Sequence, residues 1–203
     1  MTRDANATPG NAALLVGGAL ALAAVTARGR GRALDDRLFA WANTSMQHPL
    51  LDRLFGGVTE LGSLWASIAA AGVLAAGGRR RTARDALAAA GVTWAIGQGL
   101  KKLWRRARPY DADGPFRLLI GKPQGTSWPS SHPMVLLAFA TVAARDLELG
   151  PASRAALHAL AGTVAASRVY LGVHYPADVA GGLLLGRAVA DAWSRSVSAR
   201  PVG

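Results

Sequence analysis

The chain has no cysteine among its 203 residues. Disulfides, thiolate metal ligands and cysteine nucleophiles are excluded together, and the redox compartment leaves no mark on the sequence. Aromatic residues make up only 6%, and none alternate with the basic clusters to build a platform for stacked bases. Acids are scarce too: 12 Asp and Glu stand against 23 Lys and Arg, a net charge of +11. Such an excess points to nucleic acid or to a membrane surface. Here the cations gather at 28–32, 79–84 and 101–108, with long uncharged stretches between them. Loops between membrane spans look like this, so a lipid bilayer is the expected partner and nucleic acid is not.

What the chain has in plenty is small and apolar residues: 51% are hydrophobic and 24 are glycine. Abundant Ala, Gly and Arg also suit a GC-rich bacterial genome. Six stretches are nearly free of charge, at 12–27, 61–77, 86–100, 134–144, 155–166 and 179–193. Crossing the hydrocarbon of a bilayer takes about 20 residues. The first two stretches suffice alone, and the other four borrow flanking residues. Glycines within them suit close helix contact in lipid, where small residues let backbones approach. A soluble bundle would need a polar stripe at helical period, which 61–78 lacks. The expected fold is all-α: a six-transmembrane-helix bundle, one domain over 1–203, with its site at the membrane–water boundary.

Two segments qualify that picture. Arg3, the first apolar run and Val25-Thr26-Ala27 outline a cleavable signal peptide, although Asp4 offsets the basic start and retention is expected. Within 28–54, Leu34, Leu38 and Trp41 fall at helical spacing with Asp35, Asp36 and Arg37 opposite. This predicts a short amphipathic helix lying on the membrane. Orientation is not fixed by charge. With six spans and three candidate site cations set aside, ten Lys and Arg fall on each face.

Three polar segments fall on one of those faces, each at a helix end. In Lys101 to Pro109, continuation of the helix would put Lys101, Arg105 and Arg108 on one side as a clamp for phosphate. In Trp128-Pro129-Ser130-Ser131-His132-Pro133, Ser131 or His132 is a candidate N-cap with Pro133 at the first helical position. A helix start of this kind offers free N–H groups to an anion. In Ser167 to Asp178, Arg168 closes one helix and Pro176 opens the next. That places Asp178 near His174, where a carboxylate on one ring nitrogen raises the nucleophilicity of the other. Taken singly, each segment also reads as ordinary structure: a basic juxtamembrane cluster, a capped helix, a His–Asp pair in a loop. Together they supply what phosphoryl transfer needs: cations for the equatorial oxygens, a nucleophile and an acid.

These residues resemble the type 2 phosphatidic acid phosphatase superfamily, which shares its site with vanadium haloperoxidases. Lys101 stands before Arg108-Pro109 as in the first family motif. Pro129-Ser130-Ser131-His132 matches the second, with Ser131 where the family usually has glycine. Ser167-Arg168, His174 and Asp178 match the third. The resemblance implies a nucleophile at His174 oriented by Asp178, a general acid and then base at His132, and phosphate contacts from Lys101, Arg108, Ser130, Ser131 and Arg168. It implies no metal and no cofactor. It also implies a bacterial cell-membrane enzyme acting on a lipid phosphate, with the site facing outward. A polyprenyl diphosphate or phosphosugar is the expected substrate. Phosphatidate or phosphatidylglycerophosphate, or transfer to an acceptor other than water, are the alternatives. A scaffold with a vestigial site is disfavoured by the intact His132, His174 and Asp178. Oligomeric state is open. His48 and His158 receive no role, and Lys102, Arg105, Arg106, Arg117 and Lys122 are expected to meet lipid headgroups.

Overall fold

The computed structural model describes residues 9–112, 114 and 116–198; Arg3 and Asp4, on which the signal-peptide reading rests, lie outside them. All secondary structure among these residues is helical. Eight α-helices run in order: α1 Pro9–Val25, α2 Gly29–Ala40, α3 Pro49–Val58, α4 Leu64–Ala76, α5 Arg80–Leu103, α6 Ser131–Asp146, α7 Pro151–Tyr170 and α8 Pro176–Ser198. Each of the six uncharged stretches centres on one helix. The count is eight because the 28–54 segment holds two more. Pro49 opens α3 at its first position, and the His48 ring caps it by accepting from the Leu50 N–H at 3.1 Å.

No single described helix is long and apolar enough to cross a membrane. Length rules out α1, α4 and α6, with 17, 13 and 16 residues, and charge counts against the longer α5 and α8: α5 carries arginines at its start and lysines at its end, and α8 is interrupted by Arg187 and Asp191. Two bent pairs reach the required length and hydropathy together. Asn11–Val25 with Gly29–Ser45 turns through 93°, and Pro49–Gly62 with Leu64–Ala76 through 67°.

The second helix is amphipathic, as its spacing predicts, and Arg37 is exposed, but one member of its polar side, Asp35, is not in water. Leu34, Leu38 and Trp41 point outward, while Asp35 and Phe39 are buried against the bundle. An acid expected on the solvated face is therefore part of the interior.

Helix α6 forms the centre and packs on α5, α7 and α8, while α1 lies along α8. Its Val135, Phe139 and Val142 fill the space left by Ala83, Ala86, Ala89 and Ala90 of α5. Large side chains on one helix meeting small ones on the next give dense packing without strain. The approach of α8 is closer still. A Cβ on Gly182 would sit 2.5 Å from the Ser130 carbonyl oxygen, and one on Gly186 would collide with that of Met134. Only glycine permits this seam, and it presses the first turn of α8 onto the start of α6. The up–down path then brings the end of α5, the start of α6, the end of α7 and the start of α8 to one end of the molecule. The α4–α5 and α6–α7 turns lie at the other.

Candidate active site

The first polar segment does not form the continuous helix that its spacing suggests. Helix α5 stops at Leu103, and Arg108 is extended at φ −82°, ψ 162°, the conformation that Pro109 imposes on the residue before it. Lys101 and Arg108 still converge, one from a helix end and the other from extended chain. Arg105 does not join them; it is exposed and lines a surface groove with Arg28 and Arg32. Lys101 Nζ donates to the carbonyls of Thr126 at 2.9 Å and Ser127 at 3.2 Å. The Arg108 guanidinium donates to Gly125 O at 2.8 Å and Val173 O at 3.0 Å, and its Nη1 lies 3.4 Å from His174 Nε2.

The loop that carries Arg108 is itself anchored. The buried Asn43 donates to Arg117 O and Tyr170 O at 2.8 and 2.7 Å and accepts from Arg117 N at 2.7 Å. Gly172, at φ +85°, sits where a side chain would strike the Arg117 carbonyl. Arg117 pairs with Asp52 at 3.0 Å. It is a strut of the loop rather than a headgroup contact.

Helix α6 begins at Ser131 with Ser130 as N-cap, one residue before the earlier of the two expected caps, and Pro133 is its third residue. The Ser130 hydroxyl makes no capping bond; it is fully buried and unpartnered. The Ser130 N–H donates to the Asp178 carbonyl at 3.0 Å, which locks the start of α6 to α8. Ser131 Oγ lies 3.4 Å from Gln98 Nε2. His132, half-buried, is crowded by Gly62, whose added Cβ would lie 2.8 Å from the His132 Cβ.

Pro176 opens α8 as expected, with Asp178 in its first turn. His174 Nδ1 lies 3.5 Å from Asp178 Oδ2, too long for a hydrogen bond. Ser127 fills the angle between them, its Oγ 2.5 Å from Asp178 Oδ2 and 3.4 Å from His174 Nδ1. Arg168 lies two residues before the end of α7, with Nη1 donating to Thr59 Oγ1 at 2.9 Å and Nε buried without a partner. Neither Ser127 nor Thr59 is among the expected site residues. Ser127 sits two residues before the second motif, where proximity alone would have flagged it. Thr59 carries no sequence signal.

Lys101, Arg108 and Arg168 therefore bond to carbonyls or a hydroxyl, and none of them has a carboxylate within ion-pair distance among the described residues. Their charge is left for an anion. Burial first, then the positive charges of Lys101, Arg108, Arg168 and His132, hold the His174 ring well below its ordinary pKa. The ring is neutral at physiological pH, with a lone pair available for attack. No group of three or more His, Asp or Glu side chains placed to hold a metal occurs among the described residues.

The model of the PAP2 superfamily matches residues 82–201. The chain belongs to this superfamily. Among curated PAP2 relatives, decaprenylphosphoryl-5-phosphoribose phosphatase of Mycobacterium tuberculosis is 40% identical over 127 residues, which cover 62% of this chain and 67% of that protein. The Mycolicibacterium smegmatis protein of the same name is 36% identical over 118 residues, covering 58% and 62%. The match to this second relative spans less than two thirds of its length. The PAP2 fold is confirmed by the crystal structure of a transmembrane PAP2-type phosphatidylglycerolphosphate phosphatase from Bacillus subtilis. It superposes with a TM-score of 0.79 at 24% identity, covering 95% of this chain and 99% of that one.

Proposed function

We propose that this PAP2 protein is a membrane-embedded phosphatase that removes a terminal phosphate from a polyprenyl-linked phosphate or diphosphate through a phosphohistidine. His174 Nε2 attacks phosphorus, and the phosphorus–oxygen bond to the leaving group breaks as His132 protonates that oxygen. Water, deprotonated by His132, then cleaves the phosphohistidine. Lys101, Arg108, Arg168, Ser130 and the N–H groups at the start of α6 hold the phosphate oxygens. One observation carries the reading: a buried, neutral His174 whose Nε2 lies 3.4 Å from an arginine, within a group of three cations that lack acidic partners. The mycobacterial relatives are decaprenylphosphoryl-5-phosphoribose phosphatases, which supports a polyprenyl phosphosugar as the substrate class.

Six spans formed by α1 and α4–α8, with α2 and α3 at the interface of a bacterial inner membrane, account for the outward apolar side chains. Leu14, Val25, Trp65, Val73 and Leu103 are each more than 60% exposed, more than a water-facing helical bundle would place there. The site then lies at the outer boundary. The test is phosphate release by the full chain, in EDTA, from a panel of polyprenyl phosphosugar phosphates, polyprenyl diphosphate, phosphatidate and phosphatidylglycerophosphate, with acid-labile phosphohistidine trapped in parallel. Preference for a polyprenyl substrate is expected. Phosphoserine in place of phosphohistidine, or activity that needs added magnesium, overturns the mechanism; preference for phosphatidate overturns the substrate assignment.

A further inference from the structure

Arg106 was expected to meet lipid headgroups. Instead it is buried between two buried acids. Its Nη1 donates to Asp178 Oδ1 at 2.9 Å and its Nη2 to Asp35 Oδ2 at 2.5 Å. Asp35 is fixed in turn, its Oδ1 accepting from the Ala177 N–H at 2.9 Å. The guanidinium carbon lies 4.3 Å from the centre of the Tyr175 ring, and Arg32 of α2 donates to the Tyr175 hydroxyl at 3.1 Å. The cluster thus spans three parts of the chain: α2, the segment after α5, and the turn that carries His174.

From the position of Asp178, the arrangement has a clear logic. This carboxylate has no exposure, and an isolated buried carboxylate takes up a proton rather than remain charged. Its Oδ2 accepts from Ser127 Oγ and from the Tyr175 N–H at 2.8 Å, both neutral donors. Among the described residues Arg106 is its one ion-pair partner on a side chain other than His174. Once protonated, Asp178 would no longer draw the Ser127 hydroxyl proton, so Ser127 Oγ, which lies between the two, would no longer be held as an acceptor for the proton-bearing Nδ1 that leaves Nε2 free to attack. Arg106 uses two of its nitrogens on the two acids and bonds no residue of the phosphate group, so it works through Asp178.

We infer that Arg106 is a positioning residue, clamped by Asp35 of α2, that keeps the Asp178 carboxylate charged and aimed at His174. This rests on the phosphatase reading above. Two features separate it from an ordinary structural ion pair: the effect must fall on turnover and not on phosphate binding, and it must vanish when Asp178 can no longer carry charge.

The experiment is steady-state hydrolysis of p-nitrophenyl phosphate by the full-length protein, with orthovanadate as competing anion. Arg106→Ala is expected to lower kcat about 100-fold, the scale of a small misplacement of a reacting group. KM and vanadate inhibition should move by less than about twofold, since no phosphate contact is lost. Added guanidinium ion should recover part of the lost turnover, and Arg106→Lys should fall between alanine and wild type. In an Asp178→Asn background, Arg106→Ala should cost less than about threefold more, because the two act as one unit. Should Arg106→Ala fail to fold, Asp35→Asn serves instead, with a smaller loss in kcat, unchanged KM and the same non-additivity. Independent losses in the double variant, or a rise in KM and vanadate constant to match the fall in kcat, would overturn the assignment. A wild type without turnover sinks the phosphatase reading itself; an active wild type with additive losses sinks only the role of Arg106.

Discussion

The cations proposed to hold phosphate and those at the other end of the helix bundle are the same residue types used in opposite ways. At the end away from the site, Arg81 and Arg84 share Asp85 at 3.8 and 3.2 Å, with both arginine side chains more than 70% exposed. Arg187 pairs with Asp191 at 2.8 Å, and Arg145 with Asp146. Every one of these cations has an acid beside it, and the exposed pairs, those of Arg81 and Arg84, are worth about 0–1 kcal/mol. At the site end, Arg108 and Arg168 are buried, and Lys101 is half-buried. Their partners are carbonyls and a hydroxyl, which fix direction without cancelling charge. A phosphate-holding cation here is recognised less by being an arginine than by what has been withheld from it.

That contrast is sharpest at His174. Replacing it with alanine removes the proposed nucleophile, and turnover should fall by at least about 10⁴-fold on any phosphate ester. Arg81→Ala, at the other end, should leave the rate within about twofold, as surface changes remote from a site do. A comparable loss from both would erase the distinction between the two ends. Next in size is His132→Ala. General acid catalysis contributes roughly 10²–10⁴-fold, so the loss should be large for a lipid alkyl phosphate and small for an aryl phosphate with a good leaving group. Rates plotted against leaving-group pKa give the test; parallel lines for wild type and variant would remove the acid role.

A third prediction moves from rate to packing. Gly182→Ala puts a methyl group against the Ser130 carbonyl, and overpacking of this kind costs about 1–3 kcal/mol. Thermal unfolding in detergent should show it, together with a drop in activity, because the seam sets the start of α6. Gly91→Ala, whose added Cβ meets nothing within 4 Å, is the matched control. The smallest effect concerns acid. His174 stays neutral when folded, with its pKa well below the ordinary 6.5, whereas the unfolded chain protonates it normally. The unfolded state therefore binds the extra proton as pH drops below about 6.5, and stability is lost in that direction, by at most about 1.4 kcal/mol per pH unit. Stability above that range is unaffected by this group. Melting temperature followed from pH 7.5 to 5 should fall less steeply in His174→Asn, and identical slopes would show that the ring is not held neutral.

The helical class, the position of the six apolar stretches, and the meeting of Lys101, Arg108, Ser130, His132, Arg168, His174 and Asp178 were all legible in the sequence. Apolar runs and proline-marked helix ends are local signals, and the three motifs each sit at one. What escaped was non-local. Whether α5 reaches Pro109 depends on the restriction at Arg108 and on Trp104 packing against Trp128, with ring centres 5.5 Å apart. Asp35 looked solvated because its helix is polar on that side, and it takes partners from far along the chain, Arg106 71 residues away and the Ala177 N–H, to make burial tolerable. The short segment between α3 and α4 read as the edge of an apolar run, with nothing to announce that Thr59 and Gly62 meet Arg168 and His132. Glycines were expected to line helix contacts. Gly182 and Gly186 do so, whereas added side chains at Gly72 and Gly99 would meet open space.

The reach of that short segment bears on how divisible the protein is. The family model starts at residue 82, and a fragment cut there would retain all three motifs. It would lose the hydroxyl that steadies Arg168, the backbone that crowds His132, the amide of Asn43 that pins the Arg108 loop, and one of the two carboxylates on Arg106. The stretch that marks the family is thus not a transplantable catalyst. A chimera that exchanges residues 82–201 between two superfamily members should work only when residues 35–62 travel with them.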